Sequence, residues 1–193
     1  MHFCSYKKAT ALLLIIFRIL QMSFAGTFIF QQTWTYELLN VTLTSSNLDV
    51  LDGDLKVIRI SRGSFAISGH FDIKQDIDDS SLVEGVILRR TSATDEYRPF
   101  PFDITNQTFS EAMNKYYKPL VMDSVAECTT NAPVFDEFES PLSKRYVKVD
   151  KCQLSTDNMP SHMPEGFYKI LIKLHGATEA CIETIFEIEN TMF

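Results

Sequence analysis

The residues of this chain that are able to do chemistry are four histidines, four cysteines and a short acidic run, Asp76, Asp78 and Asp79. His70, His162 and His175 stand far apart. None belongs to a His-Glu-x-x-His pair, and none is spaced with cysteines as a zinc ligand set. Cys-x-x-Cys, a Gly-x-Ser-x-Gly elbow and a phosphate-cradling glycine loop are all missing from the sequence. The acidic run lacks the glycine and distal glutamate of a calcium loop and reads as a polar hairpin turn. His70 falls on the polar side of a strand and reads as a solvated side chain. These residues predict no enzyme, no metal and no cofactor.

Composition narrows the partners. The chain carries 25 acids against 18 bases, a formal charge of -7, whereas nucleic-acid binding needs a basic face. Lys7, Lys8 and Arg18 fall in the first 25 residues, which contain no acid, so the remainder holds 15 bases against 25 acids. Lys7-Lys8, the apolar run Ala9–Phe17 and Ser23-Phe24-Ala25 have the order of a signal peptide with small residues at its cleavage site. Residues 1–25 are therefore expected to be removed, leaving 26–193 as one secreted, extracellular domain. No other stretch approaches the ~18 apolar residues of a spanning helix, which predicts no stable membrane insertion. Asn40-Val41-Thr42 and Asn106-Gln107-Thr108 are glycosylation sequons in that context, and a glycan must point to solvent.

Beyond the signal segment, Cys128, Cys152 and Cys181 remain. Three thiols allow three single pairs and leave one over. Cys128–Cys152 is the preferred bridge, with Cys181 either a buried free thiol or a partner-bridging one.

Strands must position whatever site exists. Phe65, Ile67, Gly69, Phe71 and Ile73 alternate with polar residues, and Leu82–Arg90 resumes after the Asp76–Ser81 turn with Leu82, Val86 and Leu88 on one side, so the two segments read as a hairpin. Tyr168, Ile170, Ile172 and Leu174 alternate with lysines. After a turn at Gly176, Ile182, Thr184, Phe186 and Ile188 alternate with glutamates, which leaves Cys181 on the glutamate side. Trp34, Tyr36 and Leu38 share one strand face while Leu39, Val41 and Leu43 share the other. A β-bulge near Leu38–Leu39 turns both sets inward and leaves Asn40 outside. Asp52-Gly53 reads as a turn before a strand over Leu55–Ile60. One segment has helical spacing: Phe109, Ala112, Met113, Tyr116 and Leu120 follow a capping box at Thr108–Glu111, and Pro119 limits the helix to roughly ten residues. About seven strands and one short α-helix predict an all-β, two-layer antiparallel β-sandwich or β-cup.

Three stretches resemble the insect CheA/CheB-like chemosensory proteins of the ML lipid-recognition superfamily, to which the ganglioside activator also belongs. They are Arg59–Gly69, Tyr146–Cys152 with Phe138 and Pro141 before it, and Pro160-x-x-x-Pro164-Glu165-Gly166-Phe167-Tyr168-Lys169. The resemblance implies an ML-like sandwich with an apolar ligand between its sheets and a cysteine pair at Cys128 and Cys152. It implies a secreted factor that binds a lipid, hydrocarbon or pheromone-like cue, or one that modulates a sensory receptor or channel without a ligand. Phe100, Phe102, Phe109, Tyr116, Phe135 and Phe138 are the candidate pocket residues, because they flank turns and the helix where a sandwich can open. Phe100-Pro101-Phe102 is the expected rim, since its prolines suit an edge strand.

Overall fold

The computed structural model describes residues 32–156 and 159–191. The expected signal segment and its cleavage site lie outside them. Two antiparallel sheets make up the described domain. One has the order β1-β9-β8-β4-β5, from β1 (Trp34–Ser45), β4 (Leu82–Arg90), β5 (Arg98–Thr108), β8 (Gly166–His175) and β9 (Ala180–Asn190). The other has the order β2-β3-β7-β6, from β2 (Leu51–Ser61), β3 (Ser64–Ile73), β6 (Thr129–Thr130) and β7 (Arg145–Cys152). The sheets form a sandwich, as the alternating pattern predicts.

The strand pairings confirm the strongest sequence signals. β8 and β9 form a hairpin with Tyr168 opposite Phe186 and Ile172 opposite Ile182, and on the other face Lys169 reaches Glu183 at 3.1 Å. The β1–β9 register shifts between Leu38 and Asn40, which is the expected bulge. It places Leu38 and Val41 in the core and leaves Asn40 exposed, but Leu39 stays outside rather than turning inward.

Two strand assignments are corrected. β3 and β4 are not a hairpin: β3 pairs with β2 and β7, and β4 with β5 and β8, so the connection crosses between sheets. It is fastened on the way, for Ile77 is buried and bridges Leu142, and Asp76 accepts from the Lys144 N–H. Asp79 accepts from both the N–H and the hydroxyl of Ser110, tying the crossing to the helix. The crossing also sets which side of β4 faces in. Val83, Gly85, Ile87 and Arg89 are inward, whereas Leu82, Val86 and Leu88 lie on the outer face. Gly53, expected in a turn, lies inside β2. Leu43 crosses directly over it, and a Cβ there would come within 2.7 Å of Leu43 Cδ2 and 2.6 Å of the His70 carbonyl.

The helix begins where the capping box sets it. Thr108 Oγ1 accepts from the Glu111 N–H, and the Glu111 carboxylate accepts from the Thr108 N–H. It does not end at Pro119. A four-residue α1 (Phe109–Ala112) passes into a π-helical stretch (Met113–Met122) containing Pro119, then into α2 (Asp123–Ala126). Wider π turns shift the hydrogen-bond ladder, so a proline within them does not force the chain out of the helix. Asn114 anchors the stretch, donating to the Phe138 carbonyl and accepting from the Phe138 N–H. The Cys128–Cys152 disulfide then ties the residues after α2 to the end of β7.

Candidate functional site

The inward face of the larger sheet contributes to two buried clusters, one at each end. At one end Tyr168 and Ile188 are 0% and 1% exposed, with Trp34, Ile87, Phe100 and Phe186 around them. Tyr168 stacks on Phe186 at 5.5 Å and meets Phe100 edge-on at 5.5 Å. Three polar tips find carbonyls here: Trp34 Nε1 donates to Pro160, the Tyr36 hydroxyl to Leu154 and the Tyr168 hydroxyl to Pro164. At the other end Ile73, Ile77, Phe109, Met113, Phe138 and Leu142 form a second core, joined by Val83 and Leu174 from the larger sheet.

Between these cores, Ile170 and Ile172 of β8 and Thr184 of β9 are only half-buried, and Ile182 is 36% exposed. Strand alternation places all four on the same inward face as Tyr168, Leu174 and Ile188. The smaller sheet repeats the pattern. Leu51, Phe71 and Ile73 pack in the second core, while Leu55, Val57 and Ile67 on the same face are half-buried. Of these apolar side chains on the two inner surfaces, Ile170, Ile172, Ile182, Leu55, Val57 and Ile67 belong to neither buried cluster. A separate, largely polar depression of about 310 Å³ lies beside β1, lined by Tyr36, Glu37, Leu38, Ser64, Phe65 and Gln153. That size falls at the lower end of small-molecule sites.

A family model described as a protein of unknown function, DUF1091, matches residues 83–170. The match is partial. It runs from β4 through the helix and the disulfide to Ile170 in β8 and leaves out β1, β2, β3 and β9. No curated protein matches the chain.

The candidate aromatic residues do not converge on one pocket. Phe109, Phe135 and Phe138 pack on one another, with ring centroids 5.7 and 5.2 Å apart, inside the second core. Tyr116 accepts from Gln107 Nε2 beside β5. Phe100 covers Tyr168 in the opposite core, and Phe102 is 51% exposed. β5 is an edge strand, and its register slips between Val86 and Leu88, where Phe100-Pro101-Phe102 bulges out. The part-buried isoleucines of β8 and β9 leave no signal in the sequence, because strict alternation says which face is buried and not how completely.

Two of the histidines have structural partners. His70 stacks on Tyr146 at 5.4 Å. His175 lies 2.6 Å from Glu179 and 3.4 Å from Glu84, and the bond to Glu179 chiefly raises its pKa above the ordinary imidazole value. Lys173, 3.0 Å away, holds the Glu84 carboxyl below the usual range, with His175 adding to the effect. Asn40 and Asn106 are both exposed, as glycan acceptors must be. Cys181 has no disulfide partner among the described residues and is half-buried on the outer face beside Lys173. Burial pushes its thiol pKa up, Lys173 opposing and Glu183 adding to the rise. Its reaction with a maleimide at neutral pH is therefore expected to be several-fold slower in the folded chain than in urea, as followed by mass spectrometry. Equal rates in the two states contradict this assignment.

Proposed function

We propose that this protein is a secreted binder of an apolar molecule, a lipid, hydrocarbon or pheromone-like cue of the kind used in insect chemosensation. The ligand lies between the two sheets. The observation that carries this reading is Ile182, 36% exposed on the inward face, beside Ile170 and Ile172, which belong to neither buried cluster. An ordinary sandwich interdigitates its inner faces along their whole length. An apolar ligand placed here removes that surface from water at roughly 25 cal/mol per Å². The resemblance to ML-type proteins and the exposed sequon residues agree with a secreted carrier.

Native mass spectrometry of protein from an insect secretory host is the test, and it is expected to show apolar adducts. An Ile172→Trp variant, whose larger side chain occupies the same space, is expected to fold normally and to lose the adducts. Absence of any adduct in the parent protein, together with no uptake of an apolar fluorophore, overturns the reading. A second reading, modulation of a sensory receptor or channel without a ligand, draws on the half-exposed Val86, Leu88 and Leu171 near Cys181 on the outer face. It predicts that Ile172→Trp leaves activity beside the receptor unchanged.

A further inference from the structure

We propose that the outer face of the larger sheet is covered by the protein's own N-linked sugars, carried on Asn40 and Asn106. This goes beyond the ligand reading and rests only on entry of the chain into the secretory pathway. The two sequons stand on the two edge strands of one sheet, β1 and β5. Each asparagine falls where the register slips. Asn40 follows the slip after Leu38 and lies opposite Ile185. On β5, Gln107 pairs with Val83 and Ile104 with Gly85, so Thr105 and Asn106 together oppose Glu84. Val41 and Gln107, the residues next in the chain, pair with the inward Thr184 and Val83, so alternation turns both asparagines outward. Both are exposed.

The face between them is apolar. Val86 and Leu171 are direct partners, Leu88 is the next outward residue of β4, and Ile185 lies on the neighbouring β9. Leu39, beside Asn40, is 39% exposed, and Leu82, opposite Thr108, is 37% exposed. Exposed apolar side chains scattered singly are ordinary, whereas a contiguous group marks a surface that something covers. The smaller sheet and the helix pack on the inward side, against Val83 and Leu174. Tyr97 reaches one corner, its ring 4.7 Å from Arg90 and 5.2 Å from Lys169.

Four strand spacings separate β1 from β5, about 19 Å, so a sugar chain from each margin has half of that to cover. N-acetylglucosamine offers an apolar ring face and an acetamide methyl to Ile185, Leu171 and Val86. Its hydroxyls find partners in the Lys169–Glu183 and Lys173–Glu84 pairs of the same face. Sugars at both margins also block the addition of a strand to either edge. A protein docking on this face would have to pass between them.

Peptide mapping and hydroxyl-radical footprinting of protein secreted by an insect host test the assignment. Mapping is expected to find sugar chains on both asparagines. When the sugars are removed enzymatically from the folded protein, residue-resolved oxidation of Val86, Leu171 and Ile185 is expected to rise several-fold. Ile170 and Ile172, on the opposite face of β8, are expected to stay unchanged. The double variant Asn40→Gln, Asn106→Gln is expected to show the same pattern; Thr108 is left intact because it caps the helix. Unmodified asparagines in the secreted protein, or oxidation indifferent to removal of the sugars, overturn the sugar cover and leave the apolar-ligand reading standing. Protection of the outer residues that grows with protein concentration overturns it in favour of a second copy. A chain that is not secreted overturns both readings.

Discussion

Tyr168→Ala is expected to destabilise the domain by about 4 kcal/mol, the range for truncating a large buried aromatic residue. Tyr168 is fully buried, stacked on Phe186 and flanked by Phe100, so its loss opens a void bounded by Trp34 and Ile188. Its hydroxyl donates to the Pro164 carbonyl at 2.7 Å, holding the segment before β8 against the sandwich. Burial raises the Tyr168 pKa, with Arg89 opposing, so the phenol stays neutral and a donor throughout the physiological range. Tyr168→Phe keeps the ring and is expected to cost only about 1 kcal/mol. Urea denaturation separates the two variants. If alanine costs no more than phenylalanine, the aromatic cluster does not hold this end of the domain.

The second large effect comes from the disulfide. Replacing Cys128 and Cys152 together by serine is expected to cost about 3.5 kcal/mol, the chain-entropy value for opening a loop of about 25 residues. For a domain of this size that corresponds to roughly 10 °C in melting temperature. The bridge acts on a region otherwise weakly attached, because β6 contributes only Thr129 and Thr130 to the sheet. Calorimetry of the double variant beside reduced parent protein checks the figure. A shift below about 2 °C would mean that Asn114, with its two bonds to Phe138, and the buried Val147 and Val149 already fix the segment.

Particular residues show where the sequence speaks and where it falls silent. The bulge at Leu38–Asn40 was legible because two apolar sets lay on opposite faces and a sequon separated them. The β8–β9 hairpin was legible because lysines faced glutamates across Gly176. The β3–β4 pair misled because adjacency in sequence is the usual prior for pairing, and only tertiary contacts, Ile77 to Leu142 and Asp79 to Ser110, carry the chain to the other sheet. Pro119 misled because local propensity forbids an α-helix there but does not forbid π turns. The candidate site was the least legible. Phe109, Phe135 and Phe138 look like pocket residues by position, yet they fill one another's space. Ile170, Ile172 and Ile182 look like ordinary core, yet nothing packs them fully. That difference depends on how far apart two sheets stand, which no single strand encodes.

The pairing of β1 with β9 has a consequence for the life of the chain before it is folded. Strand 34–45 emerges well over a hundred residues before strand 180–190, its one hydrogen-bonded neighbour among the described residues. At about 5–20 residues per second the interval is on the order of ten to thirty seconds. Throughout it, Trp34, Leu38 and Val41 have no partner strand to cover them. Such distant pairing places this protein among slowly folding topologies. Its nascent form depends on whatever shields strand 34–45 until strand 180–190 arrives.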